Sequence, residues 1–286
     1  MTTPTPAKPL LSLSPLTILD ASPPEQVIAA AAAGFDAIGV RVAPAADEKV
    51  WPMLGDTPTV RETRARLDDS GLCILDVELI VLRPDFDRDA ALRVLDAGHR
   101  LGARFAATLG YDADEQRLTD NFRWLCESAA ERNLRPGLEF MKYSHVRTLQ
   151  QAVRIVQSSD HPAGTVLVDA LHLQRSGGTA AELALVPPEL TPYGQLCDGQ
   201  LEPVWPSDDE ARTESRTGRL LPGDGAFPLA DLIGALPTDA VYSVEAPVAA
   251  LSGETAHRRA QLAFQAAARA LRVAATATHP GSKDSD

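Results

Sequence analysis

The chain has 286 residues, 44% hydrophobic and 23% charged, with 27 basic and 39 acidic side chains and a net charge of -12. That length holds one large domain or two small ones and buries a substantial core without disulfide staples, while the acidic balance speaks against a non-specific nucleic-acid scaffold, which needs a basic face. Cys73, Cys126 and Cys197 are too far apart for a disulfide framework or a CxxC metal knot; Cys73 and Cys126 read as buried free thiols in apolar surroundings.

The opening MTTPTPAKPL lacks the basic-then-apolar run of a secretory signal, and no uninterrupted apolar stretch reaches the roughly 18 residues of a membrane span. The expectation is a soluble cytoplasmic protein with no membrane and no nucleic-acid partner.

In chain order, residues 1–9 and 276–286 read as loose segments around an alternation of short apolar runs and amphipathic ones. Leu10–Leu13 predicts the first strand. SPPEQVIAAAAAG follows with Ser22 as cap, proline in the first turn, Glu25, and Gly34 as stop, a full set of helix punctuation. Strands are predicted over 35–42, 72–80, 103–110, 134–140, 164–172, within 190–199 and over 240–247. Helices are predicted over 57–71, 87–102, 115–133, 144–159, 180–186, 227–236 and 252–275. The segment 198–225 reads as an acidic and arginine-rich loop.

Eight βα units without an interrupting boundary predict a single (β/α)8 TIM barrel over 10–275. The runner-up, a doubly wound open sheet, lacks the glycine-rich phosphate turn after its first strand, where the chain reads SPLTILDASPP.

In a barrel the strand ends face the catalytic mouth, so polar residues at strand ends are the informative ones. Glu139, Asp169, Gln195 and Glu245 close strands five to eight, on adjacent staves of one half-barrel. Each alone reads equally as the partner of a rim arginine. Together, three converging carboxylates repel one another unless a cation or proton lies between them. With the Gln195 carbonyl they form an all-oxygen set, which selects one hard divalent ion, Mn2+ or Mg2+.

These residues lie in GLEFMKYSHVRTLQQA (137–152), VLVDALHLQRSGG (166–178), QLCDG (195–199), RLLPGDG (219–225) and VYSVEAP (241–247). Through them the chain resembles the xylose isomerase-like TIM-barrel superfamily, the sugar phosphate isomerases and epimerases related to family 2 endonucleases of abasic sites. By that resemblance Glu139, Asp169, Gln195 and Glu245 fall on the four metal-ligand positions. The third is most often histidine, and glutamine there resembles branches that include some dehydroshikimate dehydratases. The resemblance also puts His172 at the substrate and Arg216 or Arg219 at the position of an active-site arginine. The endonuclease branch, built on many histidines, fits poorly a chain with six of them.

The expected chemistry is that of a divalent-metal-dependent isomerase or epimerase of a sugar or related polyhydroxy ketone. A proton is removed beside a metal-polarised carbonyl through an enediolate, with Glu139, Glu245 and His172 as proton carriers. If a β-hydroxyl leaves, the same chemistry is that of a lyase on a cyclic hydroxyketone acid, similar to a 3-dehydroshikimate dehydratase. A non-catalytic sugar-binding barrel is a third possibility, opposed by the cost of three unpaired carboxylates.

Substrate contacts are expected from Arg219, Arg216, Glu78 and Trp51. Glu78, two residues after Asp76 and on the same side of its strand, alternatively pairs with Arg41 or Arg83. Trp51 and Met53 lie in an insertion, 43–56, that can roof the site or pack as surface. Arg175 is a candidate to compensate the carboxylates. The Ala-rich final helix leaves self-association into a homo-oligomer open.

Overall fold

Eight parallel strands pair in chain order and close on themselves in the computed structural model, which describes residues 9–44 and 50–278. They are β1 (Leu11–Leu13), β2 (Ala37–Arg41), β3 (Cys73–Leu82), β4 (Phe105–Gly110), β5 (Arg135–Glu139), β6 (Thr165–Asp169), β7 (Tyr193–Leu196) and β8 (Val241–Val244). The ring closes where β1 meets β8, with Leu13 opposite Val244. Among the described residues ten α-helices cross between or follow the strands: α1 (Pro23–Ala33), α2 (Pro58–Ser70), α3 (Arg88–Leu101), α4 (Glu115–Ala130), α5 (Leu149–Ser158), α6 (Ala170–Arg175), α7 (Ala180–Leu183), α8 (Asp208–Thr217), α9 (Leu229–Ala235) and α10 (Ala256–Thr278). The chain is a single (β/α)8 barrel, and no described helix is long and apolar enough to cross a membrane.

Local chemistry starts and stops these elements. Glu25 reaches back to the Ser22 amide at 2.8 Å and Asp87 accepts from the Ala90 amide at 2.9 Å, so each side chain takes up an amide that the helix leaves unpaired. Gly34 ends α1 at φ 98°, and a Cβ there would approach the Phe264 ring to 3.2 Å. That ring meets Phe35 edge-on at 5.3 Å, seating α10 against α1.

Two apolar populations follow from strand alternation. Val40, Val77, Val168 and Val244 belong to the large core shared with the helices. Ala37, Phe105, Ala107, Leu167, Tyr193 and Val241 form a separate cluster inside the barrel. The lumen is thus plugged below and polar above, which confines chemistry to the C-terminal mouth.

Several expectations are corrected. The run 164–172 is not one strand: β6 stops at Asp169, whose Oδ1 accepts from the His172 amide at 3.0 Å and caps α6. The segment 198–225 is not simply a loop, because Ser207 and Glu210 form a capping box and three acids fill the first turn of α8, where the helix dipole favours negative charge. Cys73 is exposed at the start of β3, whereas Cys126 is buried; all three thiols are free. Met53 is buried in the core rather than roofing the mouth. Of the segments expected to be loose, 1–9 and 276–286, residues 276–278 instead continue α10, while 1–8 and 279–286, with 45–49 of the insertion, lie outside the described residues.

Candidate metal centre

Strand register aligns the ends of the second half-barrel. Asp169 is opposite Gln195, Gln195 is opposite Ser243, and Glu245 follows β8 directly. Alternation turns their side chains inward, and Glu139, Asp169 and Glu245 each bring an oxygen within 4.8 Å of the others, all three buried. Burial first, then Glu245 and Asp169, push the Glu139 carboxyl well above the usual range. Such a cluster calls for positive charge.

One source of charge is Arg219, itself buried. It donates to Asp169 Oδ2 at 2.5 Å, Glu245 Oε2 at 2.8 Å and the Ser215 carbonyl at 2.9 Å. Burial opposes its charge, but Asp169, Cys197 and Glu245 outweigh that and hold it ionised. One guanidinium against three carboxylates still leaves an excess of negative charge.

The remaining donors fit a divalent ion. Gln195 Nε2 donates to Glu245 Oε1 at 3.2 Å, while Gln195 Oε1 is buried with no hydrogen-bond partner among the described residues. An orphaned amide oxygen beside three carboxylates is what an all-oxygen cation site requires. Ser14, just past β1, donates to Glu245 Oε1 at 2.9 Å and fixes that carboxylate from the other side.

The mouth above this cluster is a cavity of about 250 Å3 lined by Glu139, His172, Gln195, Arg219 and Glu245, together with Arg41, Glu78, Arg83, Tyr111, Tyr143, Arg212 and Arg216. That is below the roughly 300–1,000 Å3 of pockets for drug-sized ligands, which suits a small polar metabolite. His172 Nε2 is 3.7 Å from Glu139 Oε1. Burial, reinforced by Arg219, lowers its pKa to about 3, so the imidazole is neutral. Tyr143 packs edge-on against His172 at 5.8 Å and shares a 2.8 Å hydrogen bond with Ser215 of α8. Burial raises the Tyr111 and Tyr143 phenols, which both stay protonated.

Seven of the nine residues expected at the site therefore line one cavity, Glu139, Gln195, Glu245, His172, Arg219, Arg216 and Glu78, and Asp169 joins Glu139 and Glu245 in the buried carboxylate cluster. Trp51 does not; it is half-buried against the core beside Leu19, Pro23 and Gln26. Glu78 pairs with Arg41 at 2.8 Å, the alternative its position allowed. Arg175 does not compensate the carboxylates either, since Glu214 takes it at 2.5 Å. Ser14, Tyr111 and Arg212 were not expected. Ser14 and Tyr111 meet the same polar-strand-end criterion as the ligands, whereas Arg212 was hidden in a segment without strand or helix signal.

Residues 27–275 match the model of the xylose isomerase-like TIM barrel, and the chain belongs to this family. A curated 3-dehydroshikimate dehydratase of Pseudomonas putida is 30% identical over 228 residues, 73% of this chain and 33% of that protein. The chain thus spans about a third of the relative it matches. Among solved structures, a xylose isomerase-like TIM barrel/4-hydroxyphenylpyruvate dioxygenase fusion protein superposes with a TM-score of 0.77 at 24% identity, over 96% of this chain and 46% of that one. An IolI protein with a bound zinc atom gives 0.71 at 17% identity, over 92% and 98% of the two chains.

Within this family's barrel, the carboxylate triad is a cluster that could hold a metal ion.

Proposed function

We propose that the chain is a divalent-metal-dependent dehydratase of a small hydroxyketone that carries a carboxylate, a lyase of the 3-dehydroshikimate dehydratase kind. The observation that carries this reading is the cationic wall of the cavity. Arg83, Arg212 and Arg216 line it, and the Arg216 side chain has no ion pair or hydrogen bond among the described residues. Arg212 is paired with Asp209 at 3.1 Å, but a neutral sugar gives the Arg83 and Arg216 guanidiniums nothing to neutralise, while a carboxylate is matched to the planar guanidinium fork. The match to a dehydratase of this family, and glutamine as the third ligand, favour the same substrate class.

Glu139, Asp169, Gln195 and Glu245 would hold Mg2+ or Mn2+, which when bound supplies Lewis-acid polarisation of the substrate carbonyl. Arg216, with Arg212 and Arg83, holds the carboxylate and turns the carbon beside the carbonyl toward His172. His172 is buried and unprotonated, so its nitrogen is free to accept that proton. Tyr111, held as a neutral phenol, donates to the departing β-hydroxyl, which leaves as water. Arg219 acts on the ligands rather than on substrate, because its nitrogens are engaged by Asp169 and Glu245.

A second reading, isomerase or epimerase, has its own support: Glu139 and Glu245 approach one cavity from β5 and β8, so one carrier can remove a proton and another return it.

One experiment separates the two. The Mg2+- or Mn2+-loaded enzyme is incubated in heavy water with a cyclic hydroxyketone acid such as 3-dehydroshikimate, and separately with neutral ketoses. Loss of water with rising near-ultraviolet absorbance is expected from the acid alone. Deuterium entering a recovered neutral ketose without loss of water would overturn the dehydratase in favour of the isomerase.

A further inference from the structure

The turn after β1 lacks glycine and takes no part in the proposed reaction, yet it carries buried polar groups. The run SPLTI (14–18) leaves a strand of three residues and at once forms one turn of 3-10 helix over Pro15–Ile18. Leu16 reaches the mouth cavity, while Thr17 is buried and Ile18 belongs to the core. Residue 39 on the neighbouring β2 is glycine, and a Cβ there would come within 2.9 Å of Pro15 Cδ, so β2 leaves the turn its place against the barrel.

A threonine at such a position needs a reason. Valine has the same shape and nothing to desolvate, so a buried hydroxyl is stable only where its hydrogen bonds offset that loss. Thr17 makes two. Its Oγ1 donates to the Val244 carbonyl at 2.8 Å and accepts from the Ala246 amide at 3.0 Å. These groups stand on either side of Glu245, where the sheet no longer holds the chain from the β1 side. β8 ends at Val244, its pairing with β1 ends where Leu13 stands opposite, and the chain after β1 has already turned away. One hydroxyl therefore takes the place of the strand pairing that would have continued past Glu245. The Ser14 amide adds a further bond from the same turn, to the Val244 carbonyl at 3.0 Å, while β7 holds the other side through the Glu245 amide and the Leu196 carbonyl at 3.0 Å.

Glu245 is the ligand candidate that needs this most. Glu139 and Asp169 are the last residues of β5 and β6 and Gln195 lies within β7, whereas Glu245 stands one residue past its strand. Ser14, Gln195 and Arg219 grip its carboxylate, but they fix the head of a side chain whose root is set by the backbone. A working metal site must be held within about 0.5 Å of its productive geometry. We infer that Thr17 is a positioning residue for the metal centre: its hydroxyl brackets the Glu245 backbone while Ser14 of the same turn sets the carboxylate, so that this ligand enters the cluster in one geometry. The inference rests on the reading of Glu245 as a metal ligand.

The test reads metal affinity and does not depend on the reaction. Mn2+ alone is titrated into the metal-free full chain well below its melting temperature, and the free ion is followed by electron paramagnetic resonance. Thr17→Val, which keeps the shape, should weaken Mn2+ binding by about 10-fold, the low end of what removing a residue that holds a metal ligand costs. Thr17→Ser, which keeps the hydroxyl, should bind as the unaltered chain does. Thr165→Val is the control: it removes a buried hydroxyl bond of the same kind, to the Pro136 carbonyl at 2.9 Å, at the end of β6 away from Asp169. It should lower the melting temperature as Thr17→Val does and leave Mn2+ affinity unchanged. Should Thr17→Val not fold, Thr17→Ala, which leaves room for water at the two backbone groups, carries the same expectation. Equal Mn2+ affinity in the Thr17 variant and the unaltered chain, or an equal loss in Thr165→Val, would overturn the role of Thr17. An unaltered chain that binds no Mn2+ would instead overturn the metal centre itself, and the positioning role with it.

Discussion

The two halves of the barrel meet at one mouth and bring different chemistry to it. From β5 to β8 every strand ends in a metal-ligand candidate, and the same half carries His172 and Arg219. From β1 to β4 the mouth is built of Ser14, the Arg41–Glu78 pair, and apolar Leu79, Ala107 and Leu109. The first half concentrates charge that only a cation relieves; the second presents charge that is already paired. The β5–β8 half holds the candidate ligands, the β1–β4 half shapes the cavity and adds Arg83 and Tyr111 to its wall, and Ser14 is the seam where β1 grips Glu245.

Matched substitutions can break this division. Glu245→Gln is expected to lower turnover by about 10^3-fold, the equivalent of several kcal/mol of transition-state stabilisation, and to weaken divalent-ion binding. Glu78→Gln should leave divalent binding intact and instead destabilise the fold by roughly 3 kcal/mol, because a buried ion pair with Arg41 is broken. Metal content, turnover and melting measured on both variants decide the matter. A Glu78 variant that loses metal while Glu245→Gln keeps it would reverse the assignment of the halves.

The arginine wall provides the next test. Arg216 is exposed at the mouth and has no protein partner among the described residues, so removing it costs the fold little. A charge-assisted hydrogen bond contributes about 1.5–3 kcal/mol, so Arg216→Ala should raise KM for a carboxylate substrate by roughly 10- to 150-fold. Melting should be unchanged, and KM for a neutral ketose should be unaffected. An equal loss on acid and neutral substrates would remove the argument for an anionic substrate.

The same division explains which parts of the molecule were legible in the sequence. The eight βα units were readable because alternation, caps and glycine stops are local signals, as in SPPEQVIAAAAAG. Glu139, Asp169, Gln195 and Glu245 were readable because a polar residue closing an apolar strand conflicts with its own neighbours. Arg219 was singled out, but its hydrogen bonds to Asp169 and Glu245 join side chains 50 and 26 positions away in the chain and were not legible. Trp51 and Met53 misled because an insertion says nothing about the face on which it folds. The α8 helix was missed although SDDE is a capping box, since arginine and acid at every turn hid the helical period.

That helix supports the smallest and most local prediction. α8 carries Arg212, Ser215 and Arg216 over the ligand-bearing half-barrel, and Asp208 at its first turn pins it. Asp208 accepts from Lys142 at 2.7 Å and from Arg147 at 2.8 Å, both in the connection after β5, while the Lys142 ammonium lies 4.9 Å from the Trp205 ring. The Arg147 and then the Lys142 hydrogen bonds lower the Asp208 pKa to about 2. Because the folded-state value lies below the ordinary one of ~3.9, the latch contributes fully above that value and is lost as pH falls from there through about 2. Half of the Asp208 side chain meets solvent, so the contribution is modest and screened by salt. Trp205 fluorescence should therefore change over that acid range and stay flat across neutral pH. Asp208→Asn should release the latch at neutral pH, abolish the acid-range change, and raise KM a few-fold with little effect on kcat. A Trp205 signal that titrates identically in Asp208→Asn would detach α8 from this carboxylate, and with it the claim that the ligand-bearing half is held over its substrate by an ion-pair latch.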